Sequence, residues 1–294
     1  MTPNNRKYLQ GKRIKIFTRS FSLELYTYAA KLFETAGIPI VRLTDKTADG
    51  YFYAILKDKS CDIAINIDED AFIVNVDAML DLADYMLQND YVNCGMPDGG
   101  VLFRIQNPIV TNPFFNILNL EKIREKTYSN REIKKFDYDA VKQEMIEKFT
   151  QEVPLVSKYN FDSIDPDPYY PFFLWLAYHF KTLYLPCRKH ADGYSTILYT
   201  PDNNELCKHS WYSRFYKVKK FHTQRIMALI DEVYLQRDEK KPEFTFTKRL
   251  HFNVDIFVRS IVKVVTRICG WPSKWKKWYK RYKRNKTLAQ ASYQ

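Results

Sequence analysis

Four short apolar runs alternate with three helical stretches in the first hundred residues, and this alternation narrows the possible folds more than any other feature. Residues 13–18 (RIKIFT), 38–43 (IPIVRL), 61–68 (CDIAINID) and 91–97 (YVNCGMP) read as strands. Between them lie 22–37, with apolar residues at helical spacing and a glycine stop, then 48–59 and 75–90. Strands joined through helices run side by side in an open α/β sheet, with helices on both faces.

The second half is less regular. Residues 97–119 are rich in Gly, Asn and Pro and predict a loop, and 120–150 are polar and helical. Residues 161–180 begin as a proline-punctuated loop and become a very apolar, buried helix after Pro171. Residues 182–200 suggest two strands around Asp192-Gly193, 208–216 are aromatic and basic, and 218–237 read as a helix.

Charge is distributed unevenly. Residues 248–286 hold 13 of the 46 Lys and Arg but only one acid, Asp255, of the 34 Asp and Glu, so the remainder is formally neutral. A neutral body disfavours nucleic acid as the partner, because that partner selects a basic face. The five cysteines form no C-x-x-C pair, which argues against a disulfide framework or structural zinc and for a reducing compartment. The amino-terminal residues lack the long apolar stretch of a secretory signal, and no run reaches the roughly 20 residues of a spanning helix.

The third strand ends in Asp68-Glu69-Asp70, followed by Ala71-Phe72-Ile73. In open α/β sheets ligands bind beyond the carboxyl ends of strands. Carboxylates there can hold Mg²⁺ or Mn²⁺, hard ions that bridge phosphate oxygens. Two other D-x-D triplets, Asp137-Tyr138-Asp139 and Asp165-Pro166-Asp167, lack the apolar strand that leads into this one.

With that strand context, INIDEDAFI resembles the D-x-D element of nucleotide-sugar-dependent glycosyltransferases of the GT-A type, of the kind that builds bacterial surface glycans. The likeness spans roughly residues 12–216. It implies a GT-A-like (Rossmann-like) mixed central sheet flanked by helices. It also implies that Asp70 binds the metal, that Asp68 reaches the ribose or the metal, and that Glu69 belongs to the donor site while its side chain can point elsewhere. By the same resemblance Arg19 and Asp45 lie where the nucleoside is held. His209 becomes a candidate third metal ligand, and Asp165 or Asp167, before the apolar helix, a candidate general base. Asp98 and Gly99 could meet the donor sugar, and Arg188, Lys189, Lys208 or Arg214 the diphosphate. N-capping, ordinary turns and solvated bases are the competing readings for these residues.

The tail has its own pattern. Apolar residues at 254, 257, 258, 261, 264, 265 and 268 give a wide apolar helical face. Beyond it Trp271, Trp275, Lys276, Lys277, Trp278, Tyr279, Lys280, Arg281 and Tyr282 interleave bases with interfacial aromatics, a composition suited to an anionic membrane surface. Residues 254–268 suit packing on the body as well as membrane insertion.

These readings predict a catalytic domain over 1–222, split into a nucleotide-binding half (1–110) and an acceptor half (111–222), and a helical, amphipathic, membrane-associating tail over 223–294. The expected activity is metal-dependent transfer of a sugar from a nucleotide-sugar donor to a glycan or lipid-linked acceptor. The expected location is the cytoplasm, at the inner face of the plasma membrane. A nucleotidyltransferase on the same kind of sheet, or a non-catalytic membrane adaptor, are the alternatives. The first of these would show a glycine-rich phosphate loop after the first strand, which FTRSFSLEL lacks.

Overall fold

The computed structural model describes residues 6–44, 48–100, 106–161 and 167–269. Asp45, Asp165, Trp271 and the run Trp275, Lys276, Lys277, Trp278, Tyr279, Lys280, Arg281 and Tyr282 lie outside the described residues. Met1–Glu243 form one compact unit and Phe244–Gln294 another.

The first unit is mixed α/β. Strands β1 (Ile14–Arg19), β2 (Ile40–Leu43), β3 (Ile63–Ile67), β5 (Tyr91–Gly95), β6 (Phe115–Asn119) and β7 (Lys181–Tyr184) form a six-stranded sheet in the order β2-β1-β3-β6-β5-β7. β1 pairs in parallel with β2 and β3, and β5 in parallel with β7, while β6 is antiparallel to both of its neighbours. Helices α1 (Leu23–Lys31), α2 (Ala48–Lys57) and α3 (Val76–Gln88) link the early strands, as the alternation predicts. This arrangement is compatible with a Rossmann-like fold.

β3 is buried at all five positions, as a strand covered on both faces must be, and its sequence is accordingly apolar except at Asn66. β6 corrects the reading of 97–119 as loop throughout. Its sequence, FNILN, is also wholly buried, and it sits in the middle of the sheet. Its polar residues escaped recognition because they are satisfied internally. Asn116 donates to Thr111 Oγ1 (3.0 Å), and Asn119 caps the next helix by accepting from Lys122 N (3.3 Å). Gly95 stands opposite for the same reason. A Cβ there would lie 2.5 Å from Asn116 Nδ2 and 2.8 Å from Phe115 O.

Three helices follow β6: α4 (Leu120–Lys126), α5 (Asn130–Ile133) and α6 (Tyr138–Glu152). Helix α7 (Tyr170–His179) is buried nearly all round, as its composition requires. Phe172 and Phe173 pack on Phe52 of α2 with ring centroids 5.2 and 4.8 Å apart, so α7 closes one face of the sheet.

A second, antiparallel sheet joins β4 (Ala71–Ile73), β10 (Glu205–His209), β9 (Thr196–Tyr199) and β8 (Cys187–Lys189), in that order. β10 places His209 opposite Ala71. Helix α8 (Lys220–Gln236) belongs to the first unit, which runs to Glu243. The reason is burial. Ile226, Leu229, Ile230 and Val233 are covered, and Tyr234 Oη donates to Tyr28 O (2.9 Å).

The second unit contains α9 (Phe246–Cys269), 24 residues and so about 36 Å long. Thr245 Oγ1 accepts from Lys248 N at its start (3.3 Å). Phe246, Leu250, Val254, Phe257, Val258 and Ile261 are all exposed and fall within one 120° arc of this helix. No helix among the described residues is long and apolar enough to cross a membrane. Cys61, Cys94, Cys187 and Cys207 are free thiols.

Candidate active site

β3 delivers the acidic triplet to the carboxyl end of the parallel strands, where Arg19 ends β1 beside it. Beyond β3 the chain turns at Glu69-Asp70, closed by Ala71 N donating to Asp68 O (3.0 Å), and this turn sends Asp68 and Asp70 into one cavity and Glu69 towards Ser20–Ser22. Asp68 and Asp70 line a cavity of about 360 Å³, together with Arg19, Asn112, Phe114, Asp167, Tyr169, His209, Trp211 and Arg214.

Glu69 lies outside that lining. Its Oε2 accepts from Ser20 Oγ (2.9 Å), Phe21 N (2.8 Å) and Ser22 N (2.7 Å), pinning the turn that starts α1. Burial pushes the Glu69 carboxyl up to about 8, against the pull of those donors.

The two aspartates carry the electrostatics of the cavity. Asp68 Oδ2 accepts from Arg19 Nη2 (3.0 Å), while Asp68 Oδ1 is buried with no hydrogen-bond partner. Burial raises the Asp68 carboxyl to about 6, Arg19 pulls it down, and Asp70 adds repulsion. Burial also works to raise Asp70, but His209, Arg19 and the Ser213 N–H together outweigh it and hold Asp70 below the ordinary value. His209 Nε2 lies 3.3 Å from Asp70 Oδ1, although 139 residues separate the two in sequence. The β4–β10 pairing makes that contact, and Ser210 N adds a bond to Asp70 O (2.9 Å). The His209 ring stacks on Phe114 (4.2 Å, 11°), and its Nδ1 is buried without a partner.

Among the described residues no three His, Cys, Asp or Glu side chains converge closely enough to enclose an ion by themselves. A Mg²⁺ or Mn²⁺ that carries nucleotide phosphates takes only one or two carboxylates and fills its shell with phosphate and water oxygens. A buried carboxylate pair with an unused oxygen at Asp68 fits such an ion.

Asp167 is also in the cavity wall. Asp98 is fully buried behind that wall. It accepts from Asn112 Nδ2 (2.7 Å), and the Tyr169 hydroxyl lies 2.7 Å from Asp98 Oδ2 and 3.1 Å from Asp167 Oδ2. Asp98 therefore anchors lining residues and does not itself face the cavity. Gly99 follows it at φ 77°, in the left-handed region that suits glycine, and is likewise not in the lining. Arg188 is outside the lining as well. It lies exposed on β8, against Asn203 and the Tyr199 ring, and Lys208 is committed to Glu232. Arg214 alone of the four bases weighed for the diphosphate lines the cavity.

Sequence reading missed the aromatic wall at Trp211 and Tyr212. Both have positive φ, 57° and 61°, a conformation costing roughly 1–2 kcal/mol for a non-glycine residue. Tertiary bonds hold this strain in place. Arg225 on α8 donates to Trp211 O (3.0 Å) and to Ser195 Oγ (2.8 Å), and pairs with Asp192. The KHSWYSRFY composition marked the segment but gave no backbone conformation.

This support is acid-sensitive. Burial works to raise Asp192, but bonds from Ser195, Tyr194 and Arg225 win and hold it well below the ordinary carboxylate value. A depressed folded value contributes stability above the unfolded value of about 3.9, lost as pH falls through the folded one. Urea midpoints at pH 7 and pH 3 are expected to differ less in Asp192→Asn than in the wild type. An equal difference in both would contradict the assignment.

No family model matches the chain, and no curated protein matches it. Among solved structures it is similar to the mannosyltransferase PcManGT from Pyrobaculum calidifontis, determined with GDP-mannose and Mn²⁺. That likeness has 8% identity and a TM-score of 0.31, covering 39% of this chain and 46% of that one. The chain thus spans less than half the length of that enzyme. It is also similar to A197 from STIV, at 12% identity and a TM-score of 0.35, over 66% of this chain and 93% of that one.

Proposed function

We propose that this chain transfers a sugar from a nucleoside-diphosphate donor to a hydroxyl of a glycan or lipid-linked acceptor. The observation that carries the reading is the buried Asp68–Asp70 pair at the carboxyl end of β3, with Arg19, His209 and Asp167 in one cavity. Asp68 and Asp70, with His209 beside Asp70, would hold Mg²⁺ or Mn²⁺, which when bound offsets the charge of the departing diphosphate. Arg19 and Arg214 supply donors for diphosphate oxygens. Asp167 accepts the proton of the acceptor hydroxyl as that oxygen bonds to the anomeric carbon. The bond from that carbon to the diphosphate oxygen breaks, and its electron pair leaves with the diphosphate.

The reading extends to location. The exposed apolar arc of α9 and the basic, aromatic run beyond it would rest on an anionic membrane, peripherally and at the cytoplasmic face.

The test is calorimetric titration of the full chain with GDP, UDP, ADP and CDP, with and without Mn²⁺. One diphosphate is expected to bind, and only with the ion. Folded protein that binds none would overturn the transferase reading and favour an adaptor. With the donor known, Asp167→Asn is expected to keep diphosphate affinity and lower transfer about 10²–10⁴-fold. Undiminished transfer would remove Asp167 as the base.

A further inference from the structure

The segment Tyr212–Phe221 (YSRFYKVKKF) contains four bases and no acid, and it forms a turn that holds apolar side chains in solvent. Lys217 is left-handed at φ 59°, and the turn is closed on both sides. Val218 N and Lys219 N both donate to Phe215 O (3.0 and 2.9 Å), and Lys217 N donates to Thr223 Oγ1 (2.8 Å). Val218 is therefore fixed at the apex, 73% exposed, with Phe221 54% exposed beside it. Tyr194 extends the patch, its ring 5.3 Å from that of Phe221.

Charge surrounds this apolar apex. Lys217 pairs with Glu24, but no acidic side chain among the described residues pairs with Arg214, Lys219 or Lys220. The Lys219 ammonium lies 4.4 Å and the Arg214 guanidinium 5.2 Å from the centroid of Phe215. The nearby acid Asp192 is committed to Ser195 and Arg225.

We propose that the Val218 turn is a lipid contact on the body of the protein, separate from the tail, which seats Val218 and Phe221 at the headgroup boundary of an anionic bilayer. Apolar side chains ringed by bases suit that boundary. A nucleic acid or a glycan would use flat, open ring faces. Here the more exposed apolar side chain, Val218, is aliphatic, and Phe221 packs edge-to-face on Tyr194 (68°) and His222 (68°). The turn is continuous with the cavity, since Tyr212, Ser213 and Arg214 line it. Lipid contact at Val218 brings the cavity mouth near headgroup level, where a lipid-linked acceptor hydroxyl would be presented. That last step rests on the transferase reading, whereas the lipid contact does not.

The experiment uses the full chain with nitroxide labels on single cysteines introduced at Val218, Phe221 and, as a control, Leu235, which is 83% exposed on α8. Cys187 and Cys269 are replaced by Ser. Accessibility to oxygen and to a water-soluble nickel chelate is read with and without vesicles of phosphatidylcholine and phosphatidylglycerol. Binding is expected to cut nickel access at 218 and 221 by about tenfold and leave 235 unchanged. Vesicle-bound protein whose labels at 218 and 221 stay as accessible as at 235 overturns the proposal. So does protein that fails to bind vesicles, or labels shielded only by a soluble anionic oligosaccharide. The double variant Val218→Asp, Phe221→Asp is expected to bind these vesicles about tenfold more weakly while nucleoside-diphosphate affinity is kept, which separates this contact from the transferase reading. Unchanged vesicle binding in that variant also overturns it.

Discussion

Asp70→Asn is expected to weaken Mn²⁺-dependent nucleoside-diphosphate binding by about 100-fold or more, since even changes behind the metal ligands commonly cost 10–100-fold. Asp70 is 4% exposed, and its carboxylate meets His209 Nε2 and the Ser213 backbone N–H. Asparagine keeps the shape and an acceptor for Ser213 but removes the charge an ion requires. Sugar transfer should fall by about 10³-fold, the order seen when one group that stabilises transition-state charge is removed. Glu69→Gln is the control. Glu69 faces the Ser20–Ser22 turn and not the cavity, so diphosphate affinity should stay within about threefold, well under 1 kcal/mol. Equal losses in both variants would mean that the triplet acts through stability. No loss in Asp70→Asn would remove the metal site altogether. Titration calorimetry with Mn²⁺, beside circular dichroism to verify the fold, separates these outcomes.

The largest effect on stability is expected at Arg124→Met. Arg124 is 8% exposed on α4, and its guanidinium donates to Leu56 O (2.9 Å), Cys61 O (2.6 Å) and Asp58 O (2.7 Å). One side chain thus closes the connection from α2 into β3, the strand that carries the acidic pair. Methionine fills much of the volume and replaces none of these bonds, although Asp58 O keeps the Cys61 N–H (3.2 Å). An unsatisfied buried acceptor costs about 1–3 kcal/mol, so the variant should lose about 3–5 kcal/mol. At about 2–4 °C per kcal/mol for a domain of this size, Tm should fall by about 10 °C. Urea denaturation should show a lower midpoint at unchanged slope. A loss below about 1 kcal/mol would show that water reaches those carbonyls.

The two substitutions differ in how far they could have been foreseen. Asp70 stands out in the sequence because an apolar strand runs straight into the triplet, whereas the turn at Glu69-Asp70 that separates Glu69 from its neighbours is a feature of the structure. Arg124 has a weaker signal. Its spacing from Leu120 and Ile123 puts it on the buried side of a short polar helix, but nothing local says which carbonyls it meets. β6 shows the same limit from the other side. Its asparagines read as loop, and only the sheet supplies the partners that make their burial tolerable.

What the amino-acid order determined by itself was local. It set the strand–helix alternation through β5, the buried character of β3 and α7, and the amphipathic face of α9, since these follow from side-chain period and apolar content. The tertiary structure decided what depends on contacts between distant residues. It brought His209 to Asp70 across 139 positions through the β4–β10 ladder, and tied Asp98 to Tyr169. It sent Arg188 outward and held Trp211 and Tyr212 in a strained backbone under Arg225. Period and composition are summed along the chain, whereas these contacts arise only when strand pairing closes the loops between them.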